Sequence, residues 1–251
     1  MIVDRRNLLR FGAAGVGGLL LPGCDALNDS AAFRDGLRAV GDLHRVTQRS
    51  LIGDALAREF TEADLSPVFK ANGSLGVEAP EYRRMLANRF ADWSLIVDGL
   101  VDYPLALPLA ALQAMPQRTQ ITRHDCVEGW SAIGKWQGPQ LGPILARAGL
   151  RFDSRYAVFH CADRLKGRPY YESIDLAEAF HPQTILAWRM NDAPLTEPHG
   201  APIRLRCERQ LGYKHAKYVM RIEIRSTLEG LYGGKGGFWE DSSGYQWWAG
   251  I

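Results

Sequence analysis

Cys126 lies in the run His124-Asp125-Cys126-Val127-Glu128-Gly129-Trp130-Ser131. Alternation over Gln117–Asp125 predicts a strand that leads straight into the cysteine. The Gly- and Trp-rich stretch that follows, as far as Pro139, predicts a loop. A thiolate is both a nucleophile and a soft metal ligand. A lone cysteine most often fills a core as a small apolar group; one at a strand end among polar residues is placed to meet a ligand. A second cluster lies downstream, in Pro198-His199-Gly200-Ala201-Pro202-Ile203-Arg204-Leu205 and Gly212-Tyr213-Lys214-His215-Ala216-Lys217. A planar guanidinium and a lysine point charge suit a phosphate. With Pro202–Cys207 as a strand, Arg204 and Arg206 share one face and Ile203, Leu205 and Cys207 the other. One face can then meet an anion and the other the core, although two solvated arginines would read the same way. The run Gly233-Gly234-Lys235-Gly236-Gly237 lacks the spacing of a phosphate loop, and no helix pattern follows it. It reads as a flexible loop near the mouth of the site.

The elements that must position these residues are mixed. Phe33, Leu37, Val40, Leu43 and Val46 recur at mostly helical spacing, predicting an amphipathic helix from residue 31 to about 60 with a break near Gly53. Further helices are predicted over Pro80–Phe90, Leu107–Met115 and Gly138–Ala148, the last capped by Gly149. Trp93, Leu95 and Val97 alternate as in a strand, and Arg155–His160, Thr184–Met190, Pro202–Cys207 and Lys217–Arg225 also read as strands. No internal repeat and no low-complexity tract is present. The pattern predicts an α+β fold, one domain with mixed sheets.

Composition narrows the class. The chain has 251 residues, 46% hydrophobic and 23% charged, which is ordinary globular usage. Lys+Arg 30 against Asp+Glu 28 gives +2, with no basic stripe for nucleic acid. The first residues read as a targeting segment. Adjacent Arg5 and Arg6 precede an apolar run of 13 residues, Phe11–Gly23. As a helix that run spans about 20 Å, short of a hydrocarbon core of about 30 Å. It predicts a twin-arginine export signal over residues 1–23; a buried N-terminal helix is the alternative, and the glycines argue against it. Leu21-Pro22-Gly23-Cys24 resembles a lipobox, so tethering to the inner membrane through Cys24 and simple cleavage to a periplasmic product both stand. Removing Arg5, Arg6, Arg10 and Asp4 leaves 30 − 3 = 27 basic and 28 − 1 = 27 acidic residues. Of four cysteines, none pair at CxxC spacing, so zinc-ribbon, thioredoxin-like and haem c motifs are absent.

The Cys126 run resembles the molybdopterin-binding domain of the sulfite oxidase family, nearest the branch of the periplasmic methionine-sulfoxide reductase catalytic subunit. That branch places its metal-ligating cysteine in a Cys-Val-Glu-(small)-Trp-Ser context, as Cys126 stands here; the sulfite-oxidising branch continues Ala-Gly-Asn-Arg-Arg, which this chain lacks. The Arg204 strand and the Gly212–Lys217 loop resemble the family's pterin- and phosphate-holding segments. The likeness runs from about Phe69 to Ile251. It implies an organisation of signal (1–23), N-terminal helical segment (24–66) and molybdopterin domain (67–251).

The resemblance further implies a molybdenum-molybdopterin cofactor, one per chain, with Cys126 as protein ligand to the metal. Asn72, Cys161, His199, Arg204, Lys214, His215, Ala216 and Lys217 fall at pterin-contacting positions. Cys161 replaces a family threonine and His199 a family asparagine. The implied chemistry is oxygen-atom transfer, with electrons from a partner protein: a membrane haem-b subunit or a c-type cytochrome. Glu128, close to the metal, would repel sulfite and, protonated, would hydrogen-bond a sulfoxide; a structural Glu paired elsewhere is the other reading. The Trp-rich tail from Phe238 to Trp248 reads as core, or as a wall of the pocket. The chain stops where sulfite oxidases add a dimerisation domain, which predicts a monomer. The readings are therefore a sulfoxide reductase, a sulfite-dehydrogenase-like oxidase, or a cofactor-free lipoprotein on the same fold.

Overall fold

The computed structural model describes residues 30–251; the segment expected to be an export signal and Cys24 lie outside the described residues. The chain divides at Gly53 into two units, Met1–Gly53 and Asp54–Ile251. In the first, α1 (Ala31–Ile52) starts where the Ser30 hydroxyl accepts from the Phe33 amide at 3.4 Å, and ends at Gly53, which has φ 56°. A side-chain acceptor at the N-cap and a positive-φ glycine after the last turn are what a helix needs at its ends. Phe33, Leu37, Val40, Leu43 and Val46 are exposed along it. Among the described residues no helix is long and apolar enough to cross a membrane.

The second unit runs α2 (Pro80–Ala87), β1 (Ser94–Gly99), β2 (Leu105–Pro108), α3 (Leu109–Ala114), β3 (Gln117–Cys126), β4 (Trp130–Pro139), α4 (Leu141–Ala148), β5 (Tyr156–Leu165), β6 (Arg168–Asp175), α5 (Leu176–Ala179), β7 (Ile185–Ala187), β8 (Arg189–Met190), β9 (Ala193–Pro194), β10 (Arg204–Arg206), β11 (Val219–Arg225) and α6 (Phe238–Ser243). The main sheet has the order β2-β1-β11-β5-β6; a second sheet is β3-β4-β8-β9, and β10 pairs with β7. Only the β1–β11 pair of the main sheet is parallel, so the sheet is mixed. The α+β expectation therefore holds.

Period-two burial explains the strands. Leu95 and Val97 of β1 and Ile222 and Ile224 of β11 turn inward, meeting Leu141, Ile144 and Leu145 of α4 in one apolar core. Gly149 closes α4 in the left-handed region with φ 69°, as its position predicted. Residues 54–66, read from the sequence with the N-terminal helix, instead lie along the second sheet. The Phe60 amide donates to the Ile121 carbonyl at 2.8 Å, and Gln183 holds both backbone groups of Ala57.

Three other expectations are corrected. The stretch after Cys126 is no loop: Trp130–Pro139 is β4, paired with β3 residue for residue from Gln117↔Pro139 to Cys126↔Trp130. Thr184–Met190 is split between β7 and β8, which belong to different sheets. A helix, α6, does follow the Gly233–Gly237 run. That run is also tied down, because the Asp241 carboxylate accepts from the amides of Gly233 and Lys235 at 2.9 and 3.0 Å.

Candidate functional site

β3 ends in a tight hairpin, Val127-Glu128-Gly129, with Gly129 at φ 85°. The Gly129 amide donates to the Cys126 carbonyl at 3.0 Å, and the Asp125 carboxylate accepts from Ser131 across the turn at 2.5 Å. This fixes Cys126 on the inward face of the strand, 8% exposed, in line with His124, Thr122 and Gln120. An inward row of polar side chains on a strand is unusual, since buried polar groups must find partners.

Cys126 opens on a small cleft of about 60 Å³, partly open to solvent. Besides the hairpin, its walls include the loop Asn72–Ser74, the end of β5 with Asp163, Tyr170 of β6, the turn Gly212–His215 with Lys217, and Trp239 of α6. The Asn72 side-chain amide donates to the Cys126 sulfur at 3.6 Å. Burial pushes the Cys126 thiol up, against the amide of Glu128 and the Asn72 side chain, which favour its thiolate. At neutral pH the raised thiol is protonated, and a bound metal cation would displace that proton to solvent.

The turn Gly212–Lys214 reaches this close to β3 because residue 212 has no side chain. A Cβ there would stand 2.4 Å from His124 Nε2. His124 Nδ1 accepts from Arg206 at 3.0 Å, so its proton sits on Nε2. His215 packs edge-on to it, ring centres 5.1 Å apart, and donates from Nε2 to the Gln210 carbonyl at 3.1 Å. Burial, with Arg206 and Arg204 nearby, holds both imidazoles well below the usual histidine range, hence neutral. His124 Nε2 and His215 Nδ1 are buried without a partner, and His215 lines the cleft.

The basic residues behave differently from expectation. Arg204 and Arg206 are both fully buried and lie over the Trp136 ring, at 5.1 and 4.2 Å from its centre. Arg206 pairs with Glu208 at 2.5 Å. Arg204 donates to the carbonyls of His199 and His215 at 3.2 and 3.4 Å, leaving its Nε unpartnered. Burial and the neighbouring Arg206 bring Arg204 down to about 9, and burial with Arg204 brings Lys217 down to about 7. Arg204 and Lys217 have backbone carbonyls rather than carboxylates as hydrogen-bond partners, while Asp163 and Glu128 face the same cleft as Lys217.

Of the residues singled out in the sequence, Asn72, Cys126, Glu128, His215 and Lys217 line the cleft. Cys161, His199, Arg204, Lys214 and Ala216 stand behind it. Lys214 is enclosed between Glu172 and Glu240, the latter at 2.7 Å, and has no face toward the cleft. Both His199 nitrogens are taken, Nε2 by the Phe69 carbonyl at 3.2 Å and Nδ1 by Thr196 at 2.9 Å. The Cys161 sulfur faces the Phe159 carbonyl at 3.8 Å, and burial pushes its thiol well up. Ala216 contributes backbone, its carbonyl accepting from Leu205 at 2.8 Å. Glu128 is exposed at the hairpin tip and accepts from the Trp130 indole at 2.9 Å.

Asp163 and Tyr170 also line the cleft, and sequence reasoning assigned them no part in it; Tyr213, from the loop read as cofactor-holding, lines it as well. Ending β5 at His160 rather than Leu165 hid Asp163; an acidic residue inside a strand was the available signal. Asp163 is buried, accepts from the Ser74 hydroxyl and keeps one oxygen unpartnered. Burial pushes its carboxyl up to about 6. Trp239 stands as the wall that the tail reading offered as its second choice. Among the described residues no three His, Cys, Asp or Glu side chains gather to hold a metal. A metal at Cys126 would need its other ligands from a non-protein group.

The sequence profile of the oxidoreductase molybdopterin-binding domain matches residues 83–231. An Azospira oryzae protein, provisionally named protein-methionine-sulfoxide reductase subunit YedZ1, is 38% identical over 237 residues, 94% of this chain and 84% of that protein. The protein-methionine-sulfoxide reductase catalytic subunit MsrP of Xanthomonas campestris pv. campestris is 33% identical over 147 residues, 54% of this chain and 46% of its own. In the crystal structure of the sulfane dehydrogenase SoxCD from Paracoccus pantotrophus the same fold recurs, with a TM-score of 0.50 and 22% identity over 55% of this chain and 39% of that one.

Proposed function

The chain belongs to the oxidoreductase molybdopterin-binding domain family, and from that premise we propose that it reduces sulfoxides, methionine sulfoxide among them, using electrons from a membrane haem partner. The observation that carries this reading is Cys126 at the floor of the cleft, its sulfur touched by one amide donor from Asn72.

The residues present suit a molybdenum-pterin group. On binding a metal, a buried thiol would release its proton to solvent and serve as a soft thiolate ligand. His215 Nδ1, neutral and unpartnered, is an acceptor for a ring N–H, and the absent side chain at Gly212 lets the turn that carries His215 close on His124. Arg204 and Lys217, held by backbone carbonyls rather than carboxylates, would act on a phosphate-bearing ligand through their charge. When bound, the group supplies a metal centre that exchanges an oxygen atom with substrate and electrons with a partner.

Around it, the protein binds and orients. Asn72 and the Glu128 amide donate to the Cys126 sulfur and lower its basicity. Arg204 fixes the His215 carbonyl and so the ring that faces the ligand. Glu128, at the open end, repels anions and, once protonated, donates to a sulfoxide oxygen. That charge favours a neutral sulfoxide over sulfite. The Trp130 indole holds the carboxylate in place. Export by the twin-arginine route, a periplasmic site of action, and tethering through Cys24 complete the proposal, because a cofactor loaded in the cytoplasm needs a route that passes folded protein. Comparing turnover of methionine sulfoxide with that of sulfite tests the direction. Reduction of the former with no oxidation of the latter is expected; the opposite preference would replace this reading with a sulfite-dehydrogenase-like one.

A further inference from the structure

We infer that Lys217 is a positioning residue: its ammonium ties the Asn72–Ser74 segment to the Pro198 turn and thereby holds the Asn72 amide on the Cys126 sulfur. The importance of that amide to a metal ligand rests on the proposed function; the clamp itself does not.

A lysine ammonium has three N–H donors and no acceptor. All three are used on backbone carbonyls: Asn72 at 2.7 Å, Pro198 at 2.9 Å and Ser74. The group is 7% exposed, so water does not compete for these bonds. Its stem is pinned as well, since Gly200 packs so close that a Cβ there would stand 2.8 Å from Lys217 Cβ. The Asn72–Ser74 segment has no regular secondary structure and depends on such ties. Tyr218 adds a second donor to the Ser74 carbonyl at 3.0 Å, and Asp163 accepts from the Ser74 hydroxyl. The outcome is one amide, Asn72 Nδ2, aimed at Cys126 Sγ at 3.6 Å. A lysine held this way spends its hydrogen bonds on the protein. Its charge still acts on the cleft, but no N–H remains for direct contact with a ligand.

Three readouts on the full-length protein made without cofactor test this. In wild-type protein, Lys217 should acetylate at least about tenfold more slowly than the exposed Lys70, because a charge-assisted hydrogen bond must break first. In Lys217→Met, amides of residues 70–77 should exchange with solvent about tenfold faster or more, while those of β1 stay protected. Iodoacetamide should then alkylate Cys126 faster, by the factor that Asn72→Ala alone produces, and the double variant should go no further. Should Lys217→Met loosen β1 too, the acetylation rate and Asn72→Ala together with Tyr218→Phe decide the matter; Tyr218→Phe should loosen residues 70–77 to a smaller extent. Fast acetylation of Lys217, or unchanged exchange at 70–77 with reduced molybdenum in the loaded protein, would overturn the clamp and make Lys217 a direct contact. Clamp behaviour in a protein that never takes up molybdenum would instead sink the functional reading alone.

Discussion

Replacing Lys214 by methionine should unfold the protein sooner rather than empty its cleft. The ammonium is fully buried between Glu172 of β6 and Glu240 of α6, both carboxylates at most 1% exposed. Burial and the neighbouring Glu240 push Glu172 well up, so the cluster already strains to hold its charge. Taking away the cation leaves two buried carboxyls with no counter-charge. Breaking a buried ion pair on one side costs about 3–5 kcal/mol. For a domain of this size each kcal/mol moves the melting temperature by about 2–4 °C, so a fall of roughly 6–20 °C is expected. The deficit should be largest above pH 6 and shrink toward pH 4.5, the ordinary glutamate value, where the unfolded chain also binds these protons. Lys214→Met/Glu172→Gln/Glu240→Gln should recover much of the loss, since a neutral packed cluster is no worse than an ion pair. Urea and thermal unfolding of the cofactor-free protein measure all of this. A Lys214→Met protein within about 1 kcal/mol of wild type that nonetheless loses cofactor would refute the structural role and restore Lys214 to the ligand shell.

Asp163→Asn removes a carboxyl that the fold holds protonated up to about pH 6 against an ordinary 3.8. Wild-type stability should fall relative to the variant as pH rises from about 4 through 6, by at most about 3 kcal/mol; parallel stability curves would contradict this. Gly212→Ala puts a methyl into the His124 ring; overpacking of that kind costs about 1–3 kcal/mol and should lift the turn off Cys126, seen as faster alkylation of the thiol. Glu128→Gln keeps the hairpin but loses the proposed proton donor, so kcat/KM for methionine sulfoxide should drop about 10²-fold or more with molybdenum content unchanged; equal turnover by the variant would remove Glu128 from the proposed reaction.

The parts of the fold legible in the sequence are those where burial follows a simple period. β1 was readable from Trp93, Leu95 and Val97, and α4 from its apolar stripe closed by Gly149. β4 was hidden because Gly134 and Gly138 look like breakers, although each only allows a close neighbour. β6 was hidden because its residues from Tyr170 to Ile174 are buried on both faces and show no alternation. At the site, the family resemblance pointed to Cys126 and Asn72, which the fold brings together, but the fate of each cation depended on partners far along the chain. Glu172, Glu208 and Glu240 claim Lys214 and Arg206, and backbone carbonyls claim Arg204 and Lys217. Charge identity says that an ammonium wants an oxygen; only the fold says which oxygen arrives.

The central claim is that Cys126 anchors a molybdenum-pterin group in this cleft. Molybdenum measured by elemental mass spectrometry, on wild-type and Cys126→Ser protein exported through the twin-arginine route, tests it directly. The account predicts about one metal per wild-type chain, as the family's cofactor stoichiometry implies, and metal loss or a changed metal spectrum in the variant. A wild-type value near zero, with Cys126 freely alkylated and no pterin fluorescence after acid oxidation, would contradict it.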